Sequence, residues 1–266
     1  MPDQAPTDGA ATLLRLPAGM QRLEFISDLH LSPELPRTCA AFFAWLEQSD
    51  ADALFILGDL FEVWVGDDML SQAFEQECAA RMAQAARRRP LHVMHGNRDF
   101  LLGDAFMAAT GCVSLNDPTL LVSDFGKVLL THGDALCTDD TAYQAFRAQV
   151  RTPAWQTAWL ARPLPERLMI AAQMRAASQE HQQGQAPADW ADVNPVLAQA
   201  WLAKAQCTTL LHGHTHRPCH EHRPEGWERL VLSDWDLDQA HSVAPRGDVL
   251  SWSAGGWQRR PCTAPG

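Results

Sequence analysis

Several large classes of protein are excluded by what this chain lacks. Its seven cysteines (Cys39, Cys78, Cys112, Cys137, Cys207, Cys219 and Cys262) are odd in number, scattered, and form no CxxC pair. That pattern reads as reduced thiols in a cytosolic protein rather than a disulfide framework. No uninterrupted apolar stretch approaches the roughly 20 residues a membrane span needs. Residues Met1–Gly19 have no basic start followed by a long apolar core, so no secretory signal is expected; their Pro, Asp, Gly and Ala content reads as a disordered leader. Basic charge is short, with 21 Lys and Arg against 32 Asp and Glu for a net −11. This argues against a nucleic-acid-binding surface. Internal repeats are lacking too. A single tyrosine stands against eleven histidines, a skew that favours metal chemistry.

What is present suits an α/β domain. The 266 residues are 46% hydrophobic, ample for one sizeable core, with or without a subdomain. Arg22–Ser27 alternates polar and apolar and reads as a strand. Thr38 is the expected N-cap of a following helix with Ala40, Phe43, Ala44 and Leu46 on its apolar face. Asp52–Leu57 and Leu91–Met94 read as strands. Gln72–Arg89 and Gly103–Thr110 read as helices, and Thr119–Ser123 with Lys127–Thr131 as a hairpin around Asp124-Phe125-Gly126. Asp139–Lys204 changes character: strand patterning is lost, Ala, Gln, Arg and Trp increase, and Pro153, Pro163 and Pro165 punctuate several helices. After it come the apolar run Thr208–Leu211 and short strands at Arg229–Leu232 and Asp248–Trp252. The expected organisation is a leader at 1–19, a core at 20–138 and 206–256, a helical insert at 139–205 and a tail at 257–266.

Five apolar strands each end in a polar tip: Asp28-Leu29-His30, Gly58-Asp59, His95-Gly96-Asn97-Arg98-Asp99, His132-Gly133-Asp134 and His212-Gly213-His214-Thr215-His216. Any one could be a simple turn. Five in succession point to a site, because sites in α/β sheets gather beyond the carboxyl ends of the strands. In an extended loop alternate residues point the same way, so His214 and His216 are expected to face one site. The tips supply Asp28, His30, Asp59, Asn97, His132, His214 and His216, a mixed O/N set without thiolate. It suits Mn²⁺, Fe²⁺, Zn²⁺ or Co²⁺ better than Ca²⁺. Seven donors are too many for one tetrahedral ion and suit two ions sharing a carboxylate.

These five blocks, in this order, resemble those of the calcineurin-like metallophosphoesterases. The resemblance implies a four-layer α/β/β/α sandwich with, here, an inserted helical cap. It also implies that Asp28, His30, Asp59 and His216 hold one metal, and Asp59, Asn97, His132 and His214 the other. The wider blocks Gly58–Glu62, Gly66-Asp67-Asp68, His95–Gly103, Leu136–Asp140 and His212–Pro218 are similar to the UDP-2,3-diacylglucosamine pyrophosphatases of lipid A synthesis in Gram-negative bacteria. That likeness covers about Leu23 to Pro218 and is looser beyond. It implies hydrolysis of the pyrophosphate to UMP and 2,3-diacylglucosamine 1-phosphate, two Mn²⁺ ions, and peripheral attachment to the cytoplasmic side of the inner membrane. A nucleotide-sugar lipid is the expected partner; no nucleic acid and no obligatory protein partner are expected. The alternative is a metallophosphoesterase for another diphosphate or phosphodiester.

The resemblance assigns catalysis to Asn97 and Arg98, and substrate contacts to Asn97, Arg98, Asp140, Ser178 and His214. The family's Asn and Lys after the serine are not matched. Gln182 stands in for the amide, and with no lysine between Lys127 and Lys204, Arg175 is the candidate cation. Asp67, Asp68, Asp99 and Asp134 are expected as supports of the metal-binding histidines or as loop caps, and His95 and His212 as packing or supporting histidines. Arg87-Arg88-Arg89 reads as a solvated helix end. Trp159, Leu168 and their apolar neighbours in the insert are expected to pack its helices and to wall a pocket for acyl chains.

Overall fold

The computed structural model describes residues 9–183, 191–240, 242 and 244–262, with the side chains of 177–183 left out of the description. In chain order the strands are β1 (Thr12–Arg15), β2 (Arg22–Ile26), β3 (Ala53–Leu57), β4 (Leu91–Met94), β5 (Val113–Leu115), β6 (Thr119–Ser123), β7 (Gly126–Thr131), β8 (Thr209–His212), β9 (Cys219–His222), β10 (Glu228–Val231), β11 (Asp248–Ser253) and β12 (Gly256–Pro261). The α-helices are α1 (Pro36–Gln48), α2 (Ala73–Ala86), α3 (Asp104–Thr110), α4 (Thr141–Val150), α5 (Pro153–Leu160), α6 (Leu164–Gln183) and α7 (Pro195–Ala205).

Two six-stranded sheets run β12-β11-β2-β3-β4-β5 and β1-β6-β7-β8-β10-β9. The period of two along β2 and β3 builds the layers. Leu23, Phe25, Phe55 and Leu57 meet Leu121, Val128, Leu130, Leu211 and Leu230 between the sheets. Ile26, Leu54 and Ile56 turn the other way onto Phe42, Trp45 and Leu46 of α1 and Met82 and Ala85 of α2. On the far face, Leu129 and Leu210 pack against Ala198, Trp201 and Leu202 of α7. The order is therefore α/β/β/α. Strands covered on both faces read as continuous apolar runs, as Ala53–Leu57 does; all five residues are buried.

Three expectations change. Thr12–Arg15, placed in a disordered leader, pairs in parallel with β6. The tail from Trp257 on contributes β12, antiparallel to β11 as far as Pro261. Thr38 is not the N-cap of α1, which starts at Pro36. Its first-turn amides, Arg37 N and Thr38 N, donate instead to the Asp238 carboxylate at 3.0 and 2.9 Å. The cap lies 200 residues away in sequence, where no local pattern reveals it.

His92 on β4 has a consequence for stability. Its ring stacks on Phe55 with centroids 4.6 Å apart, it is 4% exposed, and neither ring nitrogen has a hydrogen-bond partner among the described residues. Burial pulls its pKa down to about 4. The unfolded chain takes up a proton near pH 6.5, which the folded chain refuses until pH 4, so His92 costs stability as pH falls through that window. Replacing His92 with Phe keeps the stack and removes the penalty. At pH 5 the variant should gain about 2 kcal/mol over its advantage at pH 7.5. Denaturant melts of both proteins in metal-free buffer check this; equal differences at the two pH values would refute it.

Candidate metal centre

The strand tips converge, and they do so through strained backbone. Asp28, His30, Asp59, His214 and His216 all have positive φ, between 50° and 65°. Asp and His tolerate the left-handed region better than most residues, but each such position costs on the order of 1–3 kcal/mol and persists only where its surroundings impose it. They do so here: Asp28 N donates to Gly58 O (3.1 Å), His30 N to Asp59 O (3.0 Å) and Gly213 N to His132 O (2.9 Å). His214 and His216 are thus brought inward by left-handed turns, not by the alternation of an extended loop. Gly96 and Gly213 allow the close approach. A Cβ on Gly96 would run into the Asp59 carboxylate, and one on Gly213 into that of Asp28.

Two groups form around Asp59. Ligating atoms of Asp28, His30 and His216 lie within 4.8 Å of one another, as do those of Asp28, Asp59 and His132. On one side His216 Nε2 is 3.3 Å from Asp28 Oδ1 and 3.4 Å from His30 Nε2, and His30 Nε2 is 3.9 Å from Asp59 Oδ2. On the other, His132 Nε2 is 3.8 Å from Asp59 Oδ1, and Asn97 Oδ1 is 3.0 Å from His132 Nε2 and 2.8 Å from His214 Nδ1. The two oxygens of Asp59 therefore face different histidine sets.

The donor set fits divalent cations. Asp28 Oδ2 is satisfied by Ser27 Oγ (2.5 Å) and His214 N (2.9 Å), but its Oδ1, 3.3 Å from His216 Nε2, is buried with no well-formed hydrogen bond among the described residues. A buried carboxylate oxygen is costly unless positive charge meets it. His132 Nδ1 donates to Leu57 O at 2.9 Å, which turns Nε2 toward the Asn97 carbonyl oxygen 3.0 Å away. That approach needs positive charge, either a proton on Nε2 or a cation in its place. The field agrees. Burial pushes Asp59 up, aided by the charges of Asp99 and Asp28. Burial pulls His132 down, yet Asp59, Asp28 and Asp134 outweigh it and hold the ring up at about 9. His214, buried beside His132, falls to about 4. A site that draws a proton onto a buried imidazole is one that prefers a cation.

Glu62 is a site residue that the strand-tip pattern does not reveal. It is 8% exposed; its Oε2 is 3.2 Å from His30 Nδ1, and its Oε1 lies 3.3 Å from Arg98 Nη1 and 2.7 Å from Arg175 Nε. Burial raises its pKa, but His30, Arg98 and Arg175 outweigh that and bring it to about 2. The available signal was a lone acid inside the apolar run Leu60-Phe61-Glu62-Val63-Trp64. Arg175, on α6, thereby reaches the rim of the metal centre together with Arg98.

The other acids tie loops together. Asp99 accepts from Gly96 N (2.8 Å) and Leu60 N (2.7 Å), joining two strand tips. Asp67 accepts from Gly103 N and Phe106 N at the start of α3, and Asp68 pairs with Arg167 of α6. Asp134 accepts from Tyr143 Oη (2.5 Å) and Arg147 Nε (2.8 Å) of α4, while the Tyr143 ring stacks near His214. His212 is a supporting residue: Arg229 Nε donates to its Nε2 at 3.0 Å. Arg88 and Arg89 are not simply solvated, since they donate to the carbonyls of Leu46, Glu47 and Ser49 at the end of α1. Asp140 is exposed and caps α4, accepting from Tyr143 N at 2.9 Å. The side chains of Ser178 and Gln182 lie outside the described residues.

A family model of the calcineurin-like phosphoesterases matches residues 22–218. The chain belongs to this family. Its curated relatives include a UDP-2,3-diacylglucosamine hydrolase of Bordetella pertussis, 46% identical over 84% of this chain and 88% of its own. Another is the protein of the same name from Chromobacterium violaceum, 48% identical over 80% and 90%. A third, from Ralstonia nicotianae, is 45% identical over 90% and 92%. Among solved structures, Vacuolar Protein Sorting 29 from Cryptosporidium parvum aligns over 91% of this chain and 96% of its own at 12% identity, with a TM-score of 0.46. Membership makes this chain a metal-dependent hydrolase, and the tips of β2, β3, β4, β7 and β8 gather the candidate residues for divalent metal.

Proposed function

We propose that this chain hydrolyses the pyrophosphate bond of UDP-2,3-diacylglucosamine, releasing UMP and 2,3-diacylglucosamine 1-phosphate, with two Mn²⁺ ions. The observation that carries the reading is the naming of relatives 45–48% identical over most of both chains. The geometry is in keeping with it. One ion falls to Asp28, His30, Asp59 and His216, the other to Asp59, Asn97, His132 and His214. Such ions neutralise phosphoryl charge and lower the pKa of an attacking water.

The chain's own residues do the rest. Arg98 and Arg175 converge on Glu62 and present guanidinium groups that stay charged and match phosphate oxygens. Arg175 is the candidate for the cation that the family supplies with a lysine, and its approach to Glu62 supports that assignment. In this reading Asn97, Arg98 and His214 are assigned to the scissile group, with Asp140, Ser178 and Gln182 as further contacts. The family resemblance also points the attack at the phosphorus on the uridine side.

No described helix is long and apolar enough to cross a membrane. Attachment to the cytoplasmic side of the inner membrane is part of the proposal, through the lipid nature of the substrate. Trp159 is not free to line an acyl pocket: it is 8% exposed, stacks on Trp155 with centroids 5.0 Å apart and donates to Val65 O. Leu168 likewise packs against the core. Leu160, Met169 and Met174 are exposed instead, and they are the candidates for acyl contact. Replacing Met169 and Met174 together with Gln should raise KM for a long-chain substrate about three- to tenfold through lost apolar burial. Turnover of a small phosphodiester should stay unchanged; equal losses on both would instead indicate damage to the fold.

The function is tested with the purified chain, Mn²⁺ and UDP-2,3-diacylglucosamine, following UMP. Turnover of a generic phosphodiester without UMP release would favour the alternative, a phosphoesterase for another substrate.

A further inference from the structure

His220 and His222 take no part in the strand-tip chemistry. They lie two residues apart on β9, so they share a face; both are exposed, while Cys219 and Glu221 on the other face are half-buried. Antiparallel pairing with β10 sets His222 opposite Glu228. Ligating atoms of His220, His222 and Glu228 all lie within 4.8 Å of one another. The two rings are 5.4 Å apart, and His220 Nε2 is 2.5 Å from Glu228 Oε1. The other carboxylate oxygen accepts from Thr209 Oγ1 at 3.1 Å, which fixes its orientation. Glu228 pairs with Thr209 at the amino end of β8, the end opposite the strand tips.

We propose that His220, His222 and Glu228 form a separate metal site, taking one zinc-class transition ion at the outer edge of the sheet. Two imidazoles and one carboxylate are a donor set that zinc uses, with a fourth position left to water. Imidazole favours Zn²⁺, Cu²⁺ and Ni²⁺, and divalent affinities rise from Mn²⁺ toward these ions. The site therefore discriminates against the ion proposed for the strand tips. Backbone pairing fixes the donors, so little freedom is lost on binding. The ion ties β9, the outermost strand, to β10. A simple ion pair between His220 and Glu228 would not use His222, and this separates the two readings.

The test is equilibrium dialysis of the full chain, in excess Mn²⁺, against Zn²⁺, with zinc counted by metal analysis. The wild type is compared with His222→Gln and with His220→Gln/His222→Gln. The wild type should hold one zinc per chain more than the double variant, and His222→Gln should bind that zinc at least about tenfold more weakly. Hydrolysis supported by Mn²⁺ should be the same in all three. Equal zinc counts in wild type and double variant would overturn the proposal. A second measurement needs no variant: zinc should protect His220 and His222 of the wild type from acylation by diethyl pyrocarbonate, mapped by peptide mass spectrometry. Equal modification with and without zinc would also overturn it.

Discussion

Asp59→Asn should lower kcat on the order of a thousandfold or more, the largest loss expected of any single substitution in this chain. The two carboxylate oxygens of Asp59 face different histidine sets, Oδ2 toward His30 and Oδ1 toward His132. In the proposed two-ion centre, removing its charge weakens both halves at once. Asparagine is the informative replacement. It tolerates the positive φ of 52° at this position, and its amide oxygen can still accept from Arg98 N, which donates to Asp59 Oδ1 at 2.8 Å. The fold should survive. Burial already pushes the Asp59 carboxyl up, with Asp99 and Asp28 adding repulsion, so the metal-free variant should melt no lower than the metal-free wild type. His132→Ala should lose activity comparably. Activity within tenfold of wild type for either variant would mean that the two halves do not work as one centre.

Glu62→Ala should lower kcat/KM about ten- to a hundredfold, the range seen when a group orienting a metal ligand is removed. Glu62 touches no expected metal ion. It sits beside His30 Nδ1 and gathers Arg98 and Arg175, so its loss frees one imidazole and two guanidinium groups together. Two readouts distinguish this positioning role from general destabilisation. The Mn²⁺ concentration for half-maximal rate should rise, and Glu62→Gln, which keeps the shape and one acceptor oxygen for either His30 or the two arginines, should recover part of the loss. A variant with the wild-type Mn²⁺ requirement and a lowered melting temperature would show Glu62 to be a packing residue only.

The strand tips could be read directly because the chemistry is local: an apolar run stops, and Asp, Asn or His follows within a few residues. The structure brings Asp28, His30, Asp59, Asn97, His132, His214 and His216 to one place. Other features depend on residues distant in sequence. Asp238 caps α1 across 200 residues, leaving Thr38 as a misleading local candidate. Strands β1, β5, β9 and β12 are short or lie at sheet edges, where one neighbour suffices and apolar alternation is weak. The left-handed turns at His214 and His216 have no signature beyond the residue types that tolerate them. Glu62 looked like part of a block and became intelligible only once Arg98 and Arg175 arrived from other elements. The Trp, Leu and Met content of the insert points to an acyl wall, but burial separates its members: Trp159 packs inward, and Met169 and Met174 face outward.

The most direct measurement is the return of activity as Mn²⁺ is added to chelated full chain, with UMP release from UDP-2,3-diacylglucosamine as the readout and bound Mn²⁺ counted in parallel. No turnover without metal and a full rate only at two equivalents per chain is the expected result. A full rate at one equivalent, or UMP release that survives chelation, would contradict a centre built from two ions joined at Asp59.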